Sequence, residues 1–404
     1  MMNCLIKTLL ILLSVLLQSC FCVAGDAAET WKLDDFEDGD LTAAPGLCWI
    51  ALADDLMGGS SEARLEIRPG GPGGSRHVLG LAAQLSGRSP SFAGAWVPLD
   101  RSGRLVNLGA FEGIRLRVKG SGRIEVGFRV GMVNYMAGID AGAEWRLVEV
   151  PFTSLAPLGK VPEGTKWSAD AIAWFGVTTP QVPRGEERAA GTVEFEVDDV
   201  VFYGQGVRSP APVASGTTGS FSIMPFTPLT SIPSTGWLDL ADDPARDGNM
   251  PALPDATHLE AIPSSSDGIL WLRVTLREPP HDRWIGMNVA LDVDGDPTNG
   301  QAWWGANSSF KFDRLVTVWC FRVAEGCQGY IGLADADQVA AGDMAPGGAR
   351  SVRFAIDRER RAFVVGIARD ALHLEKPEFR VVAAVGSALF YADDVPGQGA
   401  ATLR

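Results

Sequence analysis

The chain has 404 residues, 46% hydrophobic and 21% charged, which is room for two or three domains of about 150 residues and rules out a largely disordered polypeptide. Its 47 glycines and 25 prolines exceed the average combined share of roughly 12% and favour turns and short strands over long helices. A formal net charge of −14 with no basic patch argues against nucleic acid or an anionic membrane surface as partner.

Residues 1–24 read as an export signal. A single charge, Lys7, precedes an apolar run from Leu9 to Leu17, which is too short for a bilayer span of about 20 residues but suits a signal-peptide core. Two processing routes are open. Cys22-Val23-Ala24 offers small residues for cleavage before Gly25, whereas Leu16-Leu17-Gln18-Ser19-Cys20 resembles a lipoprotein signal in which Cys20 is lipidated. No later segment is long and apolar enough to span a membrane, so the expected location is extracytoplasmic: secreted, periplasmic or lipid-anchored, with any membrane contact made through that anchor. Arg outnumbers Lys, which reflects genome composition and not function.

Of six cysteines, Cys4, Cys20 and Cys22 lie in the leader region. Cys320 and Cys327 flank a Gly-containing turn and are expected to form a disulfide in an oxidising compartment. Cys48 then remains as a small buried apolar residue. With neither a Cys-x-x-Cys pair nor a Cys/His cluster, a zinc site is not expected.

The segment 206–234, rich in Pro, Gly, Ser and Thr, reads as a semi-flexible linker, with Phe221, Ile223 and Phe226 docking onto a flanking domain. On each side, apolar residues alternate with charged ones. Gly113–Lys119, Arg123–Val130 and Thr192–Val197 have this period of two, and Ile269–Leu276, Arg361–Ile367 and Phe379–Val385 are strand-like. Helical periodicity is nearly absent beyond one turn at Arg369–Leu372. The expected fold class is therefore all-β: two β-sandwich, jelly-roll-like domains at 31–205 and 235–404.

The first domain opens with Leu33-Asp34-Asp35-Phe36-Glu37-Asp38-Gly39-Asp40 and continues through Asp54-Asp55-Leu56-Met57-Gly58-Gly59-Ser60-Ser61 and Glu144–Phe152. It closes with Val197-Asp198-Asp199-Val200-Val201-Phe202. In that order these motifs resemble the galactose-binding-like jelly rolls of carbohydrate-binding module family 11 and of the complex I intermediate-associated protein 30 family. Five carboxylates in residues 34–40 repel one another unless solvated or bridged by a cation, and oxygen-rich loops suit calcium. The resemblance implies a structural calcium joining this loop to the last strand, with Glu37, Asp38 and Asp199 as ligands; a solvated acidic loop is the alternative.

A sugar is recognised by a flat apolar face together with planar polar groups. Arg129, Asn134 and Tyr135, at a strand end and the following loop, are candidates for ligand binding: one ring and two hydrogen-bonding groups. Trp49, Trp96, Trp145 and Trp174 fall within apolar strand patterns and read as core.

The second domain carries Asp247-Gly248-Asn249, Leu253–Thr257, Asn288–Gly300 and Tyr391–Gly397. These motifs resemble the β-sandwich of carbohydrate-binding module family 9 and DOMON-like extracellular domains. Asp292, Asp294 and Asp296 invite an EF-hand reading that fails on spacing, because Pro297 and Trp303 stand where Gly and Glu are required. A strand ending in an acidic turn, with local calcium as an option, is the better account. Trp303 and Trp304 follow a Gly-containing turn and are candidate ligand contacts; in a regular strand the two rings would point to opposite faces. Trp284 is a further candidate.

No nucleophile elbow, zinc-protease helix, P-loop or dinucleotide fingerprint occurs, and the four histidines have no metal spacing. The leading expectation is an exported, non-catalytic protein that binds a carbohydrate polymer or glycan, with two sandwiches on one linker gaining avidity. The alternatives are an extracytoplasmic protein-interaction or assembly factor of the intermediate-associated type and an unrecognised glycoside hydrolase.

Overall fold

The computed structural model describes residues 30–403 apart from 101–104, 131–132, 160–166, 183–185, 205–209, 213–223, 245–252, 264, 281–282, 297, 306, 324–325, 341–350, 375–377 and 387–390. The leader and Cys20 lie outside the described residues, as do Phe221 and Ile223 of the linker.

The first sandwich runs through β1 (Thr30–Asp34), β2 (Ile50–Ala53), β3 (Glu62–Pro69), β4 (His77–Leu85), β5 (Ala93–Pro98), β6 (Phe111–Gly120), β7 (Gly122–Val130), β8 (Val133–Ala141), β9 (Arg146–Pro151), β10 (Ala156–Pro157), β11 (Trp174–Thr178) and β12 (Gly191–Gly204). They form two antiparallel sheets, ordered β9-β6-β12-β4-β3 with β1 beside β12, and β10-β8-β7-β11-β5-β2. The period-two pattern sends Ile114, Leu116, Val118, Ile124, Val126 and Phe128 into one core with Phe175, Phe195 and Phe202. Each such side chain contributes roughly 1.5–3 kcal/mol on burial, while the alternating arginines and glutamates stay outside.

The second sandwich uses β13 (Met224–Phe226), β14 (Leu238–Asp242), β15 (Ala256–Ile262), β16 (Ile269–Leu276), β17 (Trp284–Asp292), β18 (Arg314–Val323), β19 (Gly326–Asp335), β20 (Val352–Asp357), β21 (Ala362–Ala368), β22 (Phe379–Gly386), β23 (Tyr391–Val395) and β24 (Ala401–Leu403). A seven-stranded sheet, β13-β19-β18-β17-β22-β23 with β24 beside β22, faces a five-stranded one, β14-β15-β16-β21-β20. Its core is separate from the first, gathering Leu270, Leu272, Val274, Val289, Val318 and Phe363. The later part of the 206–234 segment belongs to this sandwich. There β13 pairs with β19, Leu229 N–H donates to Phe354 C=O at 2.7 Å, and the Phe226 ring meets Phe354 edge-on at 6.5 Å.

The expected disulfide is not formed. The hairpin β18–β19 does fold at the Gly turn, but its register sets Arg322 opposite Cys327 and Cys320 opposite Gly329, so the two cysteines sit diagonally and remain thiols. Burial, reinforced by Cys327, pushes the Cys320 thiol well above its ordinary range. Cys48 is half-buried at the boundary between the sandwiches, not in either core.

The two sandwiches pack face to face. The outward-pointing residues Ile50, Trp96, Met136 and Trp174 of the first meet Trp284, Trp319 and Phe321 on the outer face of the seven-stranded sheet. Trp174 and Phe321 stack edge-on at 6.2 Å. Around this apolar patch, Asp55 accepts hydrogen bonds from Arg283 Nη2 at 2.7 Å and from Trp284 Nε1 at 2.9 Å, and Arg283 Nη1 also donates to Ala63 C=O at 3.0 Å. Two sandwiches moving independently on a tether, the picture behind the expected avidity, do not match this seam.

Candidate functional site

In the first sandwich the β7–β8 hairpin decides which candidates are available. Its register pairs Arg129 with Asn134 and Phe128 with Tyr135, so Tyr135 shares the core face with Phe128. It is 2% exposed and packs edge-on to Trp167 at 5.5 Å. The expected stacking ring is thus a core residue. Arg129 and Asn134 do point outward, but onto the face that the second sandwich covers. Trp174 is the cross-strand partner of Arg129, and Trp174 packs with Trp319 and Tyr330. Burial there pulls the Arg129 guanidinium below its ordinary range, with Tyr330 acting in the opposite sense. Trp284 likewise is 3% exposed and committed to Asp55.

The four tryptophans expected in the core divide three ways. Trp49 is a core residue whose indole N–H donates to Asp34 at 2.8 Å. Trp96 and Trp174 belong to the seam. Trp145 lies at the surface under Lys119, whose ammonium is 5.9 Å from the ring centroid.

The expected calcium ligands do not converge. Glu37 accepts from Arg76 Nε at 2.9 Å, from Ser75 Oγ at 2.8 Å and from the Arg76 backbone at 2.8 Å; these donors hold its carboxyl down at about 2. Asp38 is exposed and accepts from the Asp40 backbone N–H at 3.2 Å. Asp199, at a bulge with φ of 48° that aspartate tolerates, pairs with Arg117 at 3.0 Å. Each of the three is engaged by other groups, and among the described residues their carboxylates are not gathered within ligating distance of one another. The buried carboxylates of this region are Asp34 and Asp198 instead; burial raises them to about 7 and about 6.

The Asp-Asp-Leu-Met-Gly-Gly-Ser-Ser motif has a structural role. Asp54 is fully buried, accepts from Ser61 N–H at 2.7 Å and Ser61 Oγ at 2.5 Å, and lies where a side chain on Gly59 would collide with it. Asp55, next in sequence, faces the seam.

In the second sandwich the tryptophan pair is not in a strand. Trp303 and Trp304 follow a two-residue bridge at Gln301–Ala302, so the alternation rule does not govern them. Their rings stack on each other at 4.6 Å with 28° between planes. Trp303 is 2% exposed; its indole N–H donates to Asp394 Oδ2 at 2.9 Å, and Phe312 meets it edge-on. Trp304 is 41% exposed. Gly305 is required here because a Cβ would collide with Trp303 Nε1 and the Asp394 carboxylate. Asn307 completes the support by donating from its backbone to Asp394 at 3.2 Å and from Nδ2 to Pro396 C=O at 2.6 Å. The arrangement is an anchored indole beneath a presented one, and Trp304 is the one aromatic among the large exposed hydrophobic residues described.

Asp292 and Asp294 come together with Asp313 and not with Asp296. Asp292 is 1% exposed and is gripped by Arg380 through Nε at 2.6 Å, and Asp296 caps the backbone of Thr298 at 2.8 Å. A cavity of about 520 Å³ in the first sandwich, bordering the seam at Met136 and Leu158, is lined by Arg123, Glu125, Glu149 and Ser154. Burial raises the Glu125 carboxyl above its ordinary range.

Asp394, Asp55 and Arg283 were not singled out in the sequence. Asp394 sits in a noted motif, Tyr391–Gly397, but its partner Trp303 is 91 positions away, and Asp55 is 228 positions from Arg283.

No protein-family model and no curated protein matches the chain. Among solved structures, the family 11 carbohydrate-binding module of the cellulosomal cellulase Lic26A-Cel5E of Clostridium thermocellum is similar, with 16% identity over 44% of this chain and 96% of that one and a TM-score of 0.33. A Clostridium thermocellum family 11 module in complex with a β-1,3-1,4-mixed-linked tetrasaccharide matches at 16% identity over 45% of this chain and 98% of that one, TM-score 0.33. An exo-β-agarase matches at 14% identity over 47% of this chain and 26% of that one, TM-score 0.28. The all-β, sandwich architecture of this chain stands on its own strand pairings.

Proposed function

We propose that this is an exported, non-catalytic protein that binds a carbohydrate polymer through the second sandwich, with Trp304 as the stacking platform. The observation that carries the reading is an indole left 41% exposed while its neighbour Trp303 is fixed beneath it by Asp394. An exposed tryptophan on an anchored support offers a flat apolar face to the C–H side of a pyranose ring at little cost in side-chain entropy. Among the first-domain candidates, Tyr135 lies in the core and Arg129 under the seam, which favours the second sandwich as the binding domain. A lipid anchor at Cys20 and export through residues 1–24 belong to the same proposal.

The test is affinity electrophoresis of residues 25–404 through gels containing a panel of soluble polysaccharides. Retardation by at least one polymer that is lost in Trp304→Ala and retained in Glu125→Gln supports the reading. Retardation lost only in Glu125→Gln moves the site to the first-domain cavity, and no retardation by any polymer favours the assembly-factor alternative.

A further inference from the structure

On the five-stranded sheet of the second sandwich, far in sequence from Trp304, three carboxylate side chains from two neighbouring strands meet around one imidazole. Edge strand β14 lies against β15 with Asp239 opposite Glu260 and Asp242 opposite His258, and a register shift falls between Asp239 and Ala241. Residues three apart in a regular strand face opposite ways; the bulge turns both Asp239 and Asp242 onto the His258 face. His258 Nδ1 lies 2.7 Å from Asp242 Oδ1, and Nε2 lies 3.1 Å from Asp239 Oδ1. Ligand atoms of Asp239, His258 and Glu260 all fall within 4.8 Å of one another.

We propose that this is a binding site for a divalent transition-metal ion of the zinc class, with His258 Nε2, Asp239 and Glu260 as ligands. Asp242 fixes the tautomer. With Asp242 accepting from Nδ1–H, Nε2 faces Asp239 and Glu260; in the metal-free protein its proton is held by Asp239, and a metal ion takes that proton's place, giving the arrangement of outer-shell carboxylate, histidine and metal found at such centres. Charge agrees. Once the ion has displaced the Nε2 proton, three carboxylates and the Arg273 guanidinium leave a net −2, which a divalent ion balances. Arg273 does not close the site. Its Nε donates to Glu260 Oε2 at 2.6 Å and its Nη2 donates to Glu260 Oε1, while the guanidinium lies 4.2 Å over the Trp237 ring; this bidentate pair uses one lone pair of each carboxylate oxygen and leaves a further one for a metal. An imidazole among the ligands selects zinc, nickel or copper over calcium and magnesium. Bound there, the ion ties the edge strand β14, the first strand after the 206–234 segment, to the body of the sheet.

The experiment is isothermal titration of chelator-treated residues 25–404 with ZnCl2 and, separately, CaCl2 at pH 7.5. Cobalt(II) absorption reports the ligand set. Wild type is expected to bind one zinc through this site, to show cobalt d–d bands, and to give no saturable calcium isotherm sensitive to the same substitutions. His258→Gln is expected to abolish the site. Asp239→Asn, whose side chain is 84% exposed and so tolerates change without loss of fold, is expected to weaken zinc at least tenfold. Zinc binding that is absent, or equal in wild type and both variants, overturns the proposal. Calcium binding that both variants abolish, without zinc binding, overturns the metal class.

Discussion

Gln328 holds the backbone of Cys48 from the other sandwich. Its side-chain oxygen accepts the Cys48 N–H at 2.7 Å and its amide donates to the Cys48 carbonyl at 3.0 Å. With Gln328 only 1% exposed, the amide substitutes for a strand that the edge of the first domain lacks. Gln328→Ala removes that partner from both peptide groups of the half-buried Cys48, a cost of about 1–3 kcal/mol. Chemical denaturation of the full chain should show this loss, with one cooperative transition in wild type separating into two in the variant. An unchanged single transition contradicts a seam held in this way.

The ionic part of the seam predicts a second outcome. Asp55 faces both Arg283 and Trp284, and burial, offset by Arg283, raises its pKa above the ordinary range. Asp55→Ala removes the carboxylate partner of a guanidinium that is 28% exposed and the acceptor of the Trp284 indole, so the seam should weaken by roughly 2–4 kcal/mol. Small-angle scattering should report a larger radius of gyration for the variant. Equal radii in both proteins would place the cohesion elsewhere.

Asp34 gives a pH dependence with a definite sign. Burial lifts its carboxyl to about 7 against the hydrogen bonds from Phe36 N–H and Trp49 Nε1 that favour the charged form. A carboxyl raised on folding binds its proton more tightly in the folded state. Its contribution is therefore most favourable below about pH 4 and is lost as pH rises through 7. The span corresponds to roughly 4 kcal/mol. Measured in chelator, the stability of wild type minus that of Asp34→Asn should fall between pH 4 and pH 8. A difference that stays flat or rises would contradict a buried proton on Asp34.

The strands were legible in the sequence because period two is a direct image of the pleat: Ile114, Leu116 and Val118 on one face, Arg115 and Arg117 on the other. The same rule, carried round the β7–β8 hairpin, places Tyr135 inside and Asn134 outside, which reading the two as one loop concealed. Trp96 and Trp174 read as core from their apolar strand patterns and Trp284 as a ligand contact, yet all three lie against the other sandwich; local pattern carries no information on which partner covers a face. The opposite-faces expectation for Trp303 and Trp304 failed because it assumed a strand where the chain turns. Glu37 illustrates the remaining gap. Its donors Ser75 and Arg76 arrive from another loop, and no spacing within residues 34–40 announces them.

A sugar-binding face on Trp304, as proposed above, makes affinity depend on that one indole. The most direct measurement is isothermal titration of a polysaccharide that retards the protein into wild type and Trp304→Ala, with thermal unfolding of both as control. Saturable binding that weakens about tenfold or more in the variant, the equivalent of ~1.4 kcal/mol, at an unchanged melting temperature, is the predicted result. Equal affinity in the two proteins would contradict it.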